Sequence, residues 1–346
     1  MKAAEIFPAS PIQTERKPGD RHLESTIEIE GKIDINVLRL GYNYVCENIR
    51  INTASSVSSS IHICLDFEHG KESNIETDVD LHLLVHYSGA NTILHLKAAR
   101  SKIDGWSVIL LLRHLGKCVQ AIENLEPLPF PLFNEANKMQ QWLASHLNIS
   151  KPPSRSAMKA HTIEKTVSFC NVCWPSAYTL FEILFAKFVI ALHKKNITVG
   201  VPVSGQLTSR ILNAIGNYSC IIPIKLNTDD NTCENEIAAI ARKQLNEGRK
   251  NFQHWYAQRG AIDFTAIFNL DNLLHSFKFG DKRIISLHTK DGASNYPLVC
   301  NVIAEEERLH VSIKFTNKMA AHEAYELLNR FCLNIEKTRV NEYIVS

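Results

Sequence analysis

Three groups of residues in this chain have types and spacings that could do chemistry. Cys170-Asn-Val-Cys173 has the spacing of a metal or dithiol pair. Zinc would need two more close ligands, and no second Cys-x-x-Cys occurs in the sequence. A dithiol redox pair would sit in a different strand-helix setting, so this pair reads as two free, metal-free thiols where a strand ends before a helix. Cys220 is the second candidate, a nucleophile if His95 or His161 lay beside it as base. Its apolar strand reads instead as core. The third is the run Lys97-Ala-Ala-Arg-Ser-Lys-Ile-Asp-Gly-Trp-Ser107, where a strand yields to an Asp104-Gly105 turn and a helix begins at Trp106. Asp-Gly alone is a common turn pair. Arg100 in this run cannot serve as a base, because a guanidinium stays protonated; its planar array of donors suits it to hold a carboxylate. His95 lies five positions before Arg100 and so on the other face of the strand. It reads as a surface or interlayer histidine.

Composition narrows the setting. The chain has 346 residues, 45% hydrophobic and 21% charged, with a net charge of +2. That is a globular composition long enough for two domains or one pseudo-two-fold pair. The charge offers no bulk attraction to nucleic acid or an anionic membrane. The N-terminus has no apolar signal region, and the longest apolar stretch, Leu180 to Leu192, is interrupted by Glu182 and Lys187. It predicts a buried or half-buried helix rather than a membrane span. Nine scattered cysteines without a signal are expected to be reduced thiols of a cytoplasmic protein.

Strands are predicted at Ser25–Lys32, Ile61–Phe67, Leu81–Tyr87 and Thr92–Ala99 from alternation and β-branched content. Helices follow Asp34, as cap, and span Trp106–Ile122. The serine-rich stretch Ser55–Ser60 reads as a loop. Between Leu125 and Arg155 two proline clusters bracket a short helix, the composition of an inter-lobe connection. Beyond it, strands are predicted at Thr162–Phe169, Ile197–Val203, Cys220–Leu226, Ala261–Asn269, Arg283–His288, Pro297–Ala304 and Leu309–Phe315. Helices are predicted at Ser176–Lys195, Cys233–Glu247 and Ala320–Lys337.

The run ending in Asp104-Gly105-Trp106-Ser107 resembles the signature of condensation domains of nonribosomal peptide synthesis and the wider chloramphenicol-acetyltransferase-like superfamily. That signature is two histidines, three residues, then Asp-Gly, often followed by Trp-Ser. Further segments are similar in the same order. Phe7-Pro-Ala-Ser-Pro-Ile-Gln13 resembles the opening Ser-Pro-x-Gln, and Val45 to Arg50 resembles Arg-His-Glu-x-Leu-Arg. Val199-Gly-Val-Pro-Val-Ser-Gly205 resembles the start of the crossover region, and Gly216-Asn-Tyr-Ser-Cys-Ile-Ile-Pro223 resembles Gly-x-Phe-x-Asn-x-x-Pro. Ala266-Ile-Phe-Asn269 and Asn295-Tyr-Pro-Leu298 resemble later strands.

The resemblance implies an α/β fold of two chloramphenicol-acetyltransferase-like lobes in a V-shaped pseudo-dimer, mixed sheets with helices. The lobes are expected at residues 1–130 and 161–346, joined by 131–160. It further implies a tunnel between the lobes, with carrier-borne thioesters entering from both faces and the second motif histidine acting on the attacking amine. Here Ala99 and Arg100 stand in place of the two histidines. Gln206 stands where an arginine usually pairs with the motif aspartate, and Cys220 where an asparagine lies; with Tyr218 these are the tunnel candidates. Arg100 is expected to replace the missing cation beside Asp104, since a buried unpaired aspartate is costly. The implied function is a catalytically degenerate condensation-like protein that binds an acyl- or peptidyl-carrier protein or a synthetase module. The alternative is an amide- or ester-forming acyltransferase that works by positioning. No cofactor of its own is expected, the phosphopantetheine arm belonging to the partner. Nor is nucleic acid, membrane or self-association expected, so the chain should act as a monomer.

Overall fold

A computed structural model of the chain describes residues 22–48, 81–99, 103–129, 136–144, 158–168, 177–228, 232–258, 262–271, 278–290, 293–294, 296–304 and 308–342. The chain forms two compact units that do not follow chain order. The first comprises Met1–Lys151, Ser204–Ser219 and Ser276–Gly292; the second comprises Pro152–Val203, Cys220–His275 and Ala293–Ser346. Two short runs from the later part of the chain therefore belong to the first unit, which contiguous lobes at 1–130 and 161–346 do not provide for.

The first unit is built on a five-stranded sheet. Its strands are β1 (His22–Ile29), β2 (Leu81–Ser88), β3 (Asn91–Ala99), β8 (Lys278–Phe279) and β9 (Lys282–Lys290), in the order β2-β3-β1-β9-β8. Each pairing is antiparallel. Side chains alternate between faces. Ile27, Leu94 and Val85 are aligned across three strands and buried. On the other face Thr26 aligns with His95; their side chains hydrogen-bond at 2.8 Å, and the His95 ring stacks on His86 at 4.9 Å. His95 is half-buried there, within the expectation of a surface or interlayer histidine.

Helices α1 (Ile35–Asn48) and α2 (Gly105–Glu123) pack together, with Gly41 of α1 against Leu115, Cys118 and Val119 of α2. Asp34 caps α1 as expected, accepting from the backbone of Asn36 and Val37. The predicted strand at Arg283–His288 is β9, and it belongs to the first unit's sheet, paired with β1. Its short partner β8 lies against α2. Gly280, at φ +66°, comes so close to Gly116 that a Cβ on either would run into the other's backbone.

The second unit holds a seven-stranded mixed sheet in the order β10-β4-β12-β11-β7-β5-β6. The strands are β4 (Met158–Ser168), β5 (Ile197–Ser204), β6 (Ser219–Leu226), β7 (Ala266–Asp271), β10 (Ala293–Ser294), β11 (Leu298–Ala304) and β12 (Arg308–Thr316). β7 runs parallel to both β5 and β11, and β12 is antiparallel to β11 and β4. Helices α4 (Ala177–Leu192), α6 (Glu234–Lys250) and α8 (Ala321–Glu342) belong to this unit. Phe268 of β7 ties α4 and α8 to the sheet through ring contacts with Phe185 and Phe188 of α4 and Phe331 of α8, at 5.6, 5.3 and 6.3 Å between centroids.

The two charges that interrupt the apolar stretch of α4 are both paired across to α6. Glu182 accepts from Arg242, and Lys187 donates to both oxygens of Glu234 at 3.0 and 2.9 Å. The helices α3 (Ala136–Ala144), α5 (Gly205–Ser209) and α7 (Phe252–Ala257) complete the described helices. Among the described residues no helix is long and apolar enough to cross a membrane, and no three His, Cys, Asp or Glu side chains are grouped to hold a metal ion. The predicted loop at Ser55–Ser60 and strand at Ile61–Phe67 lie outside the described residues.

Candidate functional site: the Asp104 turn

Strand β3 ends at Ala99, and Asp104 caps α2. Its backbone is extended, and its Oδ1 accepts from the Ser107 N–H at 2.9 Å, as an N-cap aspartate does. Onto this turn the first unit folds a segment from a hundred residues later, Ser204–Ser219, comprising α5 and the loop into β6. Asp104 is the point where the segments join. The Tyr218 N–H donates to Oδ2 at 3.0 Å, and Gln206 Nε2 donates to Oδ2 and Oδ1 at 3.1 and 3.2 Å. The Asp104 N–H in turn donates to the Gly216 carbonyl at 3.2 Å.

Gln206 is itself oriented from both ends. Its Nε2 also donates to the Ala214 carbonyl at 3.2 Å, and its Oε1 accepts from Ser204 Oγ at 2.9 Å. Ser107 Oγ lies 2.8 Å from Asp104 Oδ1 and 2.9 Å from the Gly216 carbonyl, and it accepts from the Gly216 N–H at 3.0 Å. Trp106 Nε1 donates to the Leu212 carbonyl at 2.9 Å, anchoring the far end of the loop. Asp104 is 6% exposed and Gln206 and Ser107 are 0% exposed. Burial pushes the Asp104 carboxyl above its usual 3.8, although hydrogen bonds from Ser107, Tyr218 and Gln206 pull the other way.

The structure therefore gathers Asp104, Gly105, Trp106, Ser107, Gln206 and Tyr218 in one place. Cys220 belongs to the second unit, buried on β6. His161 cannot serve it as a base. β4, which carries His161, is separated from β6 by four strands in the same sheet, so about 24 Å lies between them. Arg100, Cys170 and Cys173 lie outside the described residues. What Gln206 does was missed from the sequence. It reads there as the loss of a cation from Asp104, whereas its amide reaches Asp104 as a neutral donor. The partnership of Ser107 Oγ with Gly216 has no signal in the sequence, since it depends on where a loop more than a hundred residues away is laid. His114, on the same stripe of α2 as Ser107 but about 10 Å further along the axis, was also not singled out. It is buried, and among the described residues its Nε2 meets no hydrogen-bond partner. Burial and the nearby Lys117 ammonium hold its imidazole below the usual 6.5.

No family model matches the chain, and no curated protein matches it. Solved structures do. The starter condensation domain of rhizomide synthetase RzmA, bound to C8-CoA and Leu-SNAC, superposes with a TM-score of 0.68 at 12% identity, covering 95% of this chain and 89% of that one. The first condensation domain of the calcium-dependent antibiotic synthetase, in complex with a substrate analogue, gives 0.68 at 13% identity, with 92% and 91% covered. The X-domain from teicoplanin biosynthesis gives 0.63 at 12% identity, with 97% and 96% covered. The fold of the chain is that of the condensation domains of nonribosomal peptide synthetases, as the order of its sequence segments implied.

Proposed function

We propose that this chain is a condensation-domain-like protein of nonribosomal peptide or related natural-product biosynthesis that binds an acyl- or peptidyl-carrier protein or a synthetase module without the usual histidine chemistry. The observation that carries this reading is the Asp104 turn. Ala99 and Arg100 stand where the resemblance places the two histidines, and what the described residues bring to Asp104 is amides and a hydroxyl rather than an imidazole. A general base must titrate near working pH and reach the proton it takes; neither alanine nor a guanidinium can.

The intact Asp104-Gly105-Trp106-Ser107 turn favours a second reading, an amide- or ester-forming acyltransferase that gains its rate from holding two thioester arms together. The two readings part on turnover. The chain is incubated with an acyl-loaded carrier protein and an amine acceptor, and carrier masses are followed by mass spectrometry. Retention of the acyl group beyond the carrier-only control rate supports the binding reading. Accelerated transfer to the acceptor supports the second.

A further inference from the structure

The contacts around Asp104 contain one hydrogen too few for an ionised carboxylate. Ser107 Oγ sits 2.8 Å from Asp104 Oδ1 and 2.9 Å from the Gly216 carbonyl, and a hydroxyl has a single proton to give. If Asp104 is a carboxylate, that proton fills one contact. The other becomes two facing oxygen acceptors less than 3 Å apart with nothing between them. A proton on Asp104 Oδ1 resolves both contacts. The acid O–H donates to Ser107 Oγ, the Ser107 O–H donates to the Gly216 carbonyl, and the remaining lone pair of Ser107 Oγ takes the Gly216 N–H at 3.0 Å.

Turning the Gln206 amide over does not supply the missing hydrogen. It would set Oε1 against the Ala214 carbonyl, which Nε2 now meets at 3.2 Å, and remove the acceptor of the Ser204 hydroxyl. The charge inventory agrees. The groups packed on the carboxyl from α2, α5 and the loop before β6 are Ser107, Gln206, Gly216 and the Tyr218 N–H, all neutral. Among the described residues there, Tyr218, whose ring lies against Gly216, is the other titratable side chain. Arg100 and Lys102, just before Asp104 in the chain, lie outside the described residues.

We propose that Asp104 is a protonated carboxylic acid in the folded protein near neutral pH, and that the clasp it forms with Ser107, Gln206 and the 214–218 loop is a proton-dependent latch. The device stands apart from the function proposed above, since it concerns how one unit holds a returning segment. An acid whose folded pKa is raised stabilises the fold at low pH, and that stability is lost as pH rises through the folded value. The latch therefore tightens on acidification and loosens towards alkaline pH.

The test is a carbon-13 NMR titration of protein labelled at aspartate carboxyl carbons, with the Asp104 signal assigned by its loss in Asp104→Asn. The proposal expects the Asp104 signal to change at or above neutral pH. A midpoint below neutral pH overturns it, and one at or below about 3.9, the ordinary aspartate value, would fit a cation such as Arg100 beside the carboxylate. Should Asp104→Asn fail to fold, Gln206→Arg makes the assignment, because a cation placed there is expected to lower that one midpoint. The infrared band of a buried protonated carboxylic acid in the unmodified protein at neutral pH gives an independent reading, and its absence overturns the proposal.

Discussion

A carboxyl group taken out of water keeps its place through hydrogen bonds, each contributing about 1 kcal/mol net, and the described residues give Asp104 amides and a hydroxyl. Asp104 collects them from Ser107, Gln206 and Tyr218, so neighbours that add no hydrogen bond can still decide whether the clasp closes. Gly216 is one. A Cβ there would lie 2.6–2.9 Å from the Tyr218 ring, which is fully buried and has no room to swing away. Gly216→Ala is expected to destabilise the protein by about 1–3 kcal/mol, read as a lower urea midpoint; an unchanged midpoint would mean that the ring is not held.

His114 makes a prediction of opposite pH sense to Asp104. Its folded pKa is depressed, so its contribution is full above the unfolded value and is lost as pH falls below about 6.5. The difference in unfolding free energy between the unmodified protein and His114→Leu should therefore shift in favour of the leucine variant on acidification. A difference that does not change with pH would show that His114 is solvated. Asp104 and Gln206 were both legible in the sequence as residues of interest, because each occupies a recognisable motif position. The direction of their relation was not, since sequence order cannot say whether a glutamine in an arginine's place has withdrawn from its partner or still reaches it.

At the scale of elements, helix α4 shows how far periodicity reaches. Its apolar run predicts burial, and Glu182 and Lys187 mark positions that need partners, but the identity of those partners depends on α6 crossing at that place. Lys187 has 6% of its side chain exposed while its partner Glu234 has 45%. The pair is therefore asymmetric: removing Glu234 strands a buried ammonium, whereas removing Lys187 leaves a carboxylate that water can reach. Glu234→Ala is expected to destabilise by about 1–3 kcal/mol, while Lys187→Met should be neutral or stabilising, both measured by chemical denaturation. Equal losses would contradict the asymmetry. Strand β9 shows where sequence reading stops. Its alternation announced a strand, and nothing local announced that it would pair with β1, more than two hundred and fifty residues earlier in the chain. The short elements α5, α7 and β8 escaped the sequence reading altogether, since five, six and two residues are too few for a periodic signal.

At the scale of the molecule, the ordered segments from Phe7 to Leu298 made the fold legible where any one of them would not have done. The first unit takes in two short later runs, 204–219 and 276–292, and it is the unit that carries the Asp104 turn. The described part of that turn is held by hydrogen bonds from Ser107, Gln206 and Tyr218, and the resemblance sets Ala99 and Arg100 in the histidine places, so the proposal is that the scaffold has kept a binding role. Native mass spectrometry of the chain mixed with an acyl-loaded carrier protein and an amine acceptor tests this most directly, because complex and product are read in one spectrum. The account predicts a non-covalent complex of chain and carrier with the acyl group still on its arm. Either a carrier that has lost its acyl group to the amine faster than without the chain, or the absence of any complex with carrier proteins, would contradict it.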